Sequence, residues 1–446
     1  MKKKLLLSMK KKLLLAGILL VVGGTYTIAS WQVGNQIEAG IDTNLKNVLA
    51  KIRAEYPDSH VYAELSDYQK GIFSSTVRLK VEFADYNDMN FDDIIKIHHG
   101  PFPLYSFTEG DFYPKLAVIT YDLDKKYNED LWEMAGNKPF INLSLTRYFD
   151  NTNKIVLKNE AIHKFEDSNS IDLSANKMII NYDSTTDLLQ TNLSINNFTL
   201  IKNNKKIELK DLSLISDSKQ NSDNMKIVGK LVLNLGSLSI SDDEYEVEKT
   251  FKINGLSINQ DSLQNNNNIS SNSSLLIDSI YFNKQNLGKF KANMDLGFVY
   301  DFNNTSEYTL KTNQLSFETM HGSLEADINM KMKTDNLFKN PFSFGSFNNY
   351  EFLQTRIELP YNALFSIIAR CQNSEKTTIS QEDIDQATYQ TIPFISMMTA
   401  RTPFIVIKND ENDFSKNVIS SSIYYSPREN KLEINGKSYD PLEFGF

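Results

Sequence analysis

Ile207-Glu208-Leu209-Lys210-Asp211-Leu212-Ser213-Leu214 sets the terms for the whole chain. Side chains alternate between the two faces of a strand, so Ile207 and Leu209 share one face, as do Leu212 and Leu214. The step from Leu209 to Leu212 is odd. It moves the apolar set to the other face unless the strand bulges or turns there. The pattern returns at Leu193-Ile195-Phe198-Leu200, at Phe251-Ile253-Leu256-Ile258, at Leu275-Ile277-Ile280-Phe282 and at Leu310-Thr312-Leu315-Phe317. Each copy is either one bulged strand or two short strands meeting at a bend. The spacing between copies is uneven, which excludes a strict solenoid. One packing problem is being solved repeatedly: one apolar face, one wet face.

Around this centre the strand signal is general. Thr76 to Phe83 and Lys115 to Leu123 alternate, and Met225–Ile240 and Lys289–Tyr300 supply longer runs. The Asn- and Ser-rich Gln264–Ser274 reads as a loop. Helical spacing is confined to a few places. Ile37, Ile41, Leu45, Val48, Leu49 and Ile52 share one face of a helix over Asn35–Tyr56, stopped by Pro57. A short helix is expected near Asn128–Ala135, ended by Gly136. Pro360 opens a third, with Ala363, Leu364, Ile367, Ile368 and Cys371 on its apolar face. Ser380 and Asp383 resemble a capping box for a fourth, which Pro393 is expected to kink. Strands follow at 403–408, 419–425 and 431–434. The fold class is therefore α+β and β-dominated: an N-terminal transmembrane helix, then an extended, curved, mainly antiparallel sheet with a helical insertion at about 360–401.

Leu13 to Trp31 is uncharged, and as a helix would be about 28 Å long, close to the hydrocarbon thickness of a bilayer. Lys2, Lys3, Lys4, Lys10, Lys11 and Lys12 precede it, and the next basic residue is Lys46. That asymmetry orients the segment with its N-terminus in the cytoplasm. The domain reading is residues 1–12 cytoplasmic, 13–31 a transmembrane anchor, 32–58 a membrane-proximal helix and 59–446 a β-rich body. MKKKLLL occurs twice, so Met9 is a second candidate start. A signal peptide cleaved near Thr27-Ile28-Ala29 is the alternative; the length of the apolar stretch favours a retained anchor. No cysteine follows that stretch, which excludes a lipoprotein signal. Setting aside the six lysines takes the formal net charge of −9 to −15 for the remainder. Nucleic acid is a poor partner for such a chain. The one cysteine rules out an internal disulfide.

Chemistry-bearing motifs are scarce. There is no phosphate loop, no dinucleotide fingerprint, no nucleophile elbow and no His-Glu-x-x-His. His98-His99-Gly100-Pro101-Phe102-Pro103 is the densest cluster. Neighbouring histidines on a strand point to opposite faces and cannot easily share a metal, and His60, His163 and His321 are distant in sequence. Gly100 and the prolines read as a turn with Phe102 packed beneath. Cys371 reads as a buried, inert thiol. Asp92-Asp93, Asp242-Asp243-Glu244 and Glu382-Asp383 read as solvated turns and helix starts rather than as a glycosidase pair. The terminal Leu442-Glu443-Phe444-Gly445-Phe446 has the alternation of an outer-membrane barrel strand, but Pro441 and the charged outer faces of the central strands count against a barrel. No catalytic residue, cofactor-binding residue or metal ligand is assigned.

Several segments together resemble the YdgA-like family of bacterial envelope proteins, a domain of unknown function. They are the anchor, Tyr68-Gln69-Lys70-Gly71-Ile72-Phe73-Ser74-Ser75, His98 to Leu104, and the ending Leu432 to Lys437 with Leu442-Glu443-Phe444. Only the G-x-F-S-S and H-G-P-F-P segments are specific; the middle matches in strand character alone. The resemblance implies a single-pass inner-membrane protein with its body in the periplasm, and it supplies no catalytic residues. Two non-enzymatic roles are expected. In one, an apolar sheet face or groove is presented to lipid, by analogy with the long β-sheet lipid-transport proteins of Gram-negative envelopes. In the other, the protein is a scaffold that self-associates or binds another envelope protein through a sheet edge.

Overall fold

The computed structural model describes residues 25–43, 45–47, 49–50, 53, 61–83, 90–166, 169–220, 227–242, 249–265, 268–299, 306–334 and 350–444. The chain divides into two units, residues 1–160 with 177–188 and residues 161–176 with 189–446. Both are dominated by antiparallel strands.

In the first unit a helix, α1, covers residues 25–43 and continues at 45–47 and 49–50. Strands β1 (Val61–Lys70), β2 (Ser74–Phe83), β3 (Phe91–His99), β4 (Ala117–Asp122), β5 (Ile141–Arg147) and β6 (Thr152–Asn159) pair in sequence as an antiparallel meander. The chain is thus already helical at residue 25, ahead of the helix expected at 35–56, and the helix crosses the position 31–32, where the span was expected to end. Ile37 and Ile41 pack on Val77, Ile95, Ile97 and Ala117, which form this unit's core. Two short helices join the strands, α2 (Leu104–Thr108) and α3 (Glu129–Met134). The latter is capped by Asn128, whose side chain accepts from the Leu131 N–H, and left-handed Gly136 follows it, as expected. Among the described residues no helix is long and apolar enough to cross a membrane. Leu13 to Gly24, most of the expected span, lie outside the described residues.

The second unit holds the longest strands. β7 (Ile162–Glu166) pairs with β8 (Asn169–Leu173); β9 (Asn176–Asp183) follows in sequence, and β8 pairs with β10 (Leu188–Lys202). Then β11 (Lys205–Gln220), β12 (Ile227–Asp242), β13 (Lys249–Asn265), β14 (Asn268–Phe282), β15 (Gln285–Val299), β16 (Ser306–Thr319), β17 (Gly322–Thr334) and β18 (Tyr350–Pro360) run as successive antiparallel neighbours. Of the residues 264–274, expected as a loop, 264–265 and 268–274 are strand: Gln264 pairs with Ile269 and Asn265 with Asn268. Their polar side chains bond across the ladder, as in Gln260 to Ser271 Oγ (3.0 Å) and Asn272 to Asp295 (2.8 Å).

In β11, β13 and β14 the odd step falls on one row, whereas in β16 it is a bulge at Asn313, with Asn293 opposite Gln314 and Met294 opposite Thr312. Lys210 pairs with Ser237 and Leu212 with Leu235, so Asp211 stands opposite Gly236. By the same registers Gly236 stands opposite Gly255, and Gly255 opposite Asp278. One row across four strands therefore reads Asp211–Gly236–Gly255–Asp278. The backbone is left-handed at Asp211 (φ 54°) and at Gly255 (φ 63°). A left-handed residue inside a strand removes one step of the alternation. The strands stay continuous and bend together, and the apolar residues on both sides of the row keep one face.

Four rows follow from these registers. Leu212, Leu235, Leu256, Ile277, Phe290, Phe317 and Leu324 form one across seven strands, roughly 29 Å wide. Leu214, Leu233, Ile258, Leu275, Ala292 and Leu315 lie beside it; Leu209, Leu238, Ile253 and Ile280 form a third, and Ile207, Ile240, Phe251 and Phe282 a fourth.

Beyond β18 the chain makes α4 (Tyr361–Gln372) and α5 (Gln381–Arg401), then β19 (Val406–Lys408), β20 (Val418–Ser426), β21 (Lys431–Ile434) and β22 (Lys437–Tyr439). β20 pairs with β18 on one side and with β19 and β21 on the other. Helix α4 packs against β15 to β18. Its buried residues are Tyr361, Ala363, Phe365, Ser366 and Ala369, so the buried face is rotated from the expected one. Cys371 is exposed, not buried. The reason is size: Ala363, Ser366 and Ala369, all 0 % exposed, let the helix approach closely. Ser380 and Asp383 do form the capping box of α5, and the helix continues through Pro393. The linker between the helices is held to the β14–β15 turn by Asn283, which donates to Ser374 Oγ (2.8 Å) and Glu375 (2.7 Å), and by buried Gln285, which donates to Lys376 O.

Two tests follow. A Cβ at Gly255 would lie 2.2 Å from Asp278 Oδ2, and the φ there is left-handed. Gly255→Val should cost about 1–3 kcal/mol in urea unfolding, whereas Asp211→Gly, at an equally left-handed position, should cost less than about 1 kcal/mol. The second test concerns acid. Lys376 and Ser380 hold Asp383 at about 2, and Lys333 and Lys331 hold Glu351 at about 2. Carboxyls depressed in the folded state stabilise it above about pH 4, and that stability is lost as pH falls toward 2. Thermal melts between pH 5 and 2 should show the loss, and Asp383→Asn should shrink it.

Candidate functional site

The two specific motifs meet at the β2–β3 end of the first unit. Ser74 pairs with His98 and Ser75 with Ile97. The His99 backbone N–H donates to Phe73 O (2.9 Å). Its Nδ1 stands 3.1 Å from Ile72 O, and a carbonyl only accepts, so the ring proton is assigned to Nδ1. Nε2 is then the acceptor for Ser75 Oγ at 2.8 Å, and Ser75 Oγ accepts from Tyr68 OH at 3.0 Å. Burial keeps the imidazole neutral by lowering its pKa.

A Ser–His hydrogen bond also starts nucleophilic catalysis. Here His99 is 0 % and Ser75 1 % exposed, and the second ring nitrogen is held by a carbonyl rather than a carboxylate. The pair is a closed structural network. Helix α1 lies on it: a Cβ at Gly34 would come 2.5 Å from the His99 ring. On either side of this contact α1 makes further bonds. Tyr26 OH donates to Phe102 O (2.5 Å) and the Tyr26 ring stacks on Phe73 at 5.5 Å. Lys70 donates to Asn35 (2.5 Å) and Glu38 (2.8 Å). Gly100 donates to Leu116 O, and any Cβ there would overlap the Lys115 carbonyl oxygen. Phe102 does not pack beneath the turn; it is 37 % exposed, because the turn's role is to offer its carbonyl to Tyr26.

His98 faces the other way. Its ring stacks on Tyr105 at 5.0 Å, and Nε2 lies 3.2 Å from Thr120 Oγ1. It lines a cavity of about 440 Å³ with Lys96, Glu109, Asp122, Asn142 and Lys158 among its walls. Most of these are partnered: Lys158 with Glu109 at 2.5 Å, Asn142 with Asp122 at 2.7 Å. Burial, helped by Lys96 and then His99, lowers the His98 pKa to about 4.

The remaining candidates are dispersed. Asp92 takes a double hydrogen bond from Arg78 (2.6 and 2.9 Å), and Asp93 pairs with Lys126 at 3.2 Å. His163 meets Asp172 at 3.0 Å. His60, Asp243 and Glu244 lie outside the described residues. Desolvation raises the Cys371 pKa, away from a reactive thiolate. Among the described residues no three His, Cys, Asp or Glu side chains gather as a metal site. Sequence reasoning located both motifs but missed that they bind α1. Gly34, one residue ahead of the expected helix, was the available signal, since a glycine can mark a close approach.

An antiparallel sheet with a helix clamped to it by two short motifs in one unit, and a long antiparallel sheet bent at one register in the other, is the class of architecture present. The family model described as a bacterial protein of unknown function, DUF945, matches residues 9–297, more than half of the chain, and the protein belongs to that family. It is similar to Protein YdgA of Escherichia coli (strain K12), at 26% identity over 154 residues. That match covers 32% of this chain and 30% of the relative. No solved structure matches.

Two outcomes are expected. Gly34→Leu should release α1 at a cost of about 1–3 kcal/mol, read as faster amide exchange across 25–43 with the strands unchanged. For His98, a folded pKa below the unfolded value near 6.5 means stability is complete above pH 6.5 and declines as pH falls toward 4. His98→Gln should flatten that part of the stability profile.

Proposed function

We propose that the protein is held in the inner membrane by Leu13–Trp31, with its body in the periplasm, and that the second unit presents its apolar rows to lipid acyl chains without catalysis. The observation that carries this reading is the exposure of the rows. Apolar side chains aligned across as many as seven strands belong in a core, yet Ile207, Ile240 and Phe251 are 37 %, 45 % and 39 % exposed, and in the four rows only Leu235 and Ala292 are buried. Continuous apolar surface of this kind marks a ligand or partner surface. The six leading lysines and the uncharged stretch after them support the anchor. The closed Ser75–His99 pair supports a non-catalytic role.

Purification of the full chain in mild detergent, followed by lipid extraction and mass spectrometry, tests the reading. Phospholipid should co-purify, and Leu233→Glu and Ile253→Glu should each reduce it while leaving far-ultraviolet circular dichroism unchanged. A lipid-free preparation, or equal lipid on both variants, overturns it. A discrete protein crosslinked to the rows in intact membranes would replace lipid with a partner.

A further inference from the structure

The first unit carries an exposed apolar surface of its own. Phe112 is 68 % exposed, Tyr113 64 %, Leu104 and Ile72 49 %, Phe107 40 % and Phe102 37 %. They gather around α2. Leu104 and Phe107 lie on that helix, and the Phe112 ring is 5.5 Å from Phe107. Tyr113 stands 6.0 Å from Tyr148. Ile72 neighbours Phe73, which stacks on Tyr26. The two carboxylates in this loop are not free: Glu109 pairs with Lys158 at 2.5 Å and Asp111 with Lys115 at 2.9 Å. The loop thus exposes aromatic area with its charge compensated.

What covers this surface is decided by its attachment. Tyr26, whose hydroxyl is bonded to Phe102 O, lies inside the Leu13–Trp31 stretch. At 1.5 Å per residue that stretch needs nearly its full length to cross a core of about 30 Å. Trp31 therefore stands at the outer boundary of the bilayer and Tyr26 about 7.5 Å nearer its centre, so the surface bonded to Tyr26 is held at or just below that boundary. On α1 itself Ser30 and Val33 are buried against the unit, while Ile28 and Trp31 are 66 % and 50 % exposed. Aromatic residues favour the level where headgroups meet acyl chains.

We infer that the α2 surface is a membrane-docking surface, seated in the outer interface of the bilayer that holds the anchor. This inference rests on the anchor proposed above. The test uses the full chain in a Cys371→Ser background, with Leu104→Cys or Phe112→Cys carrying a nitroxide, in phosphatidylcholine–phosphatidylglycerol vesicles. Relaxation by oxygen and by a water-soluble nickel chelate reports depth. Both labels should favour oxygen, and the protein should resist carbonate extraction. Water-like labels on carbonate-resistant protein overturn the docking and leave the anchor standing. Labels shielded from both reagents show a protein contact and also overturn it. Release by carbonate overturns the anchor, and the docking with it.

Discussion

The second unit depends on one constraint: its long strands must bend at the same register. Apolar residues three apart belong to opposite faces of a regular strand. Left-handed Asp211 and Gly255 remove a step, and the pairing carries the bend to Gly236 and Asp278 on the neighbouring strands. Once the row is aligned, the four apolar rows cannot shift without moving every side chain to the other face. The alternation of Asp and Gly is steric. Each glycine leaves space that an aspartate fills, with Asp211 Cβ 3.0 Å from where a Cβ on Gly236 would lie.

In the first unit the corresponding constraint is a buried imidazole. His99 is enclosed, and a buried polar group without partners costs more than a made hydrogen bond returns. Both ring nitrogens are satisfied, by Ile72 O and Ser75 Oγ. Those partners come from the G-x-F-S-S segment, which explains why the two motifs occur together. The flat ring leaves space for α1 to lie on it at Gly34. A motif that reads as potential chemistry is thus the clamp for a helix.

Strand content, the capping box at Ser380 and the Gly136 end of α3 were legible because each depends on local spacing. The apolar signature was legible as a conflict between period two and a three-residue step, but not its solution, since left-handed backbone at Asp211 is fixed only when strands pair. The polar residues 268–274 were misread because their strand character comes from cross-strand bonds to residues such as Gln260 and Asp295. The α4 face was misplaced because hydrophobicity favoured Ile367 and Cys371, while close packing selected Ala363, Ser366 and Ala369. His98 and His99 were assigned to opposite faces by alternation alone, and they occupy them. Their partners, separated by more than twenty residues for Ser75 and Thr120, were beyond the reach of a local reading.

Charge and apolar surface divide the work between the units. The chain beyond the leading lysines has a formal charge of −15, which gives it no electrostatic attraction to an anionic lipid surface. Any hold on lipid must therefore be apolar. Both exposed apolar surfaces meet that requirement by different means. The rows are free of charged residues by register, because the bend keeps lysines and carboxylates such as Lys210 and Glu208 out of them. The α2 surface is not free of charge in sequence, since Glu109 and Asp111 lie within it, but Lys158 and Lys115 compensate both. Lys115 is 1 % exposed and lies 5.8 Å from the Tyr148 ring. Burying a lysine is costly unless it is paired, and here the burial leaves an aromatic surface without a protruding ammonium group.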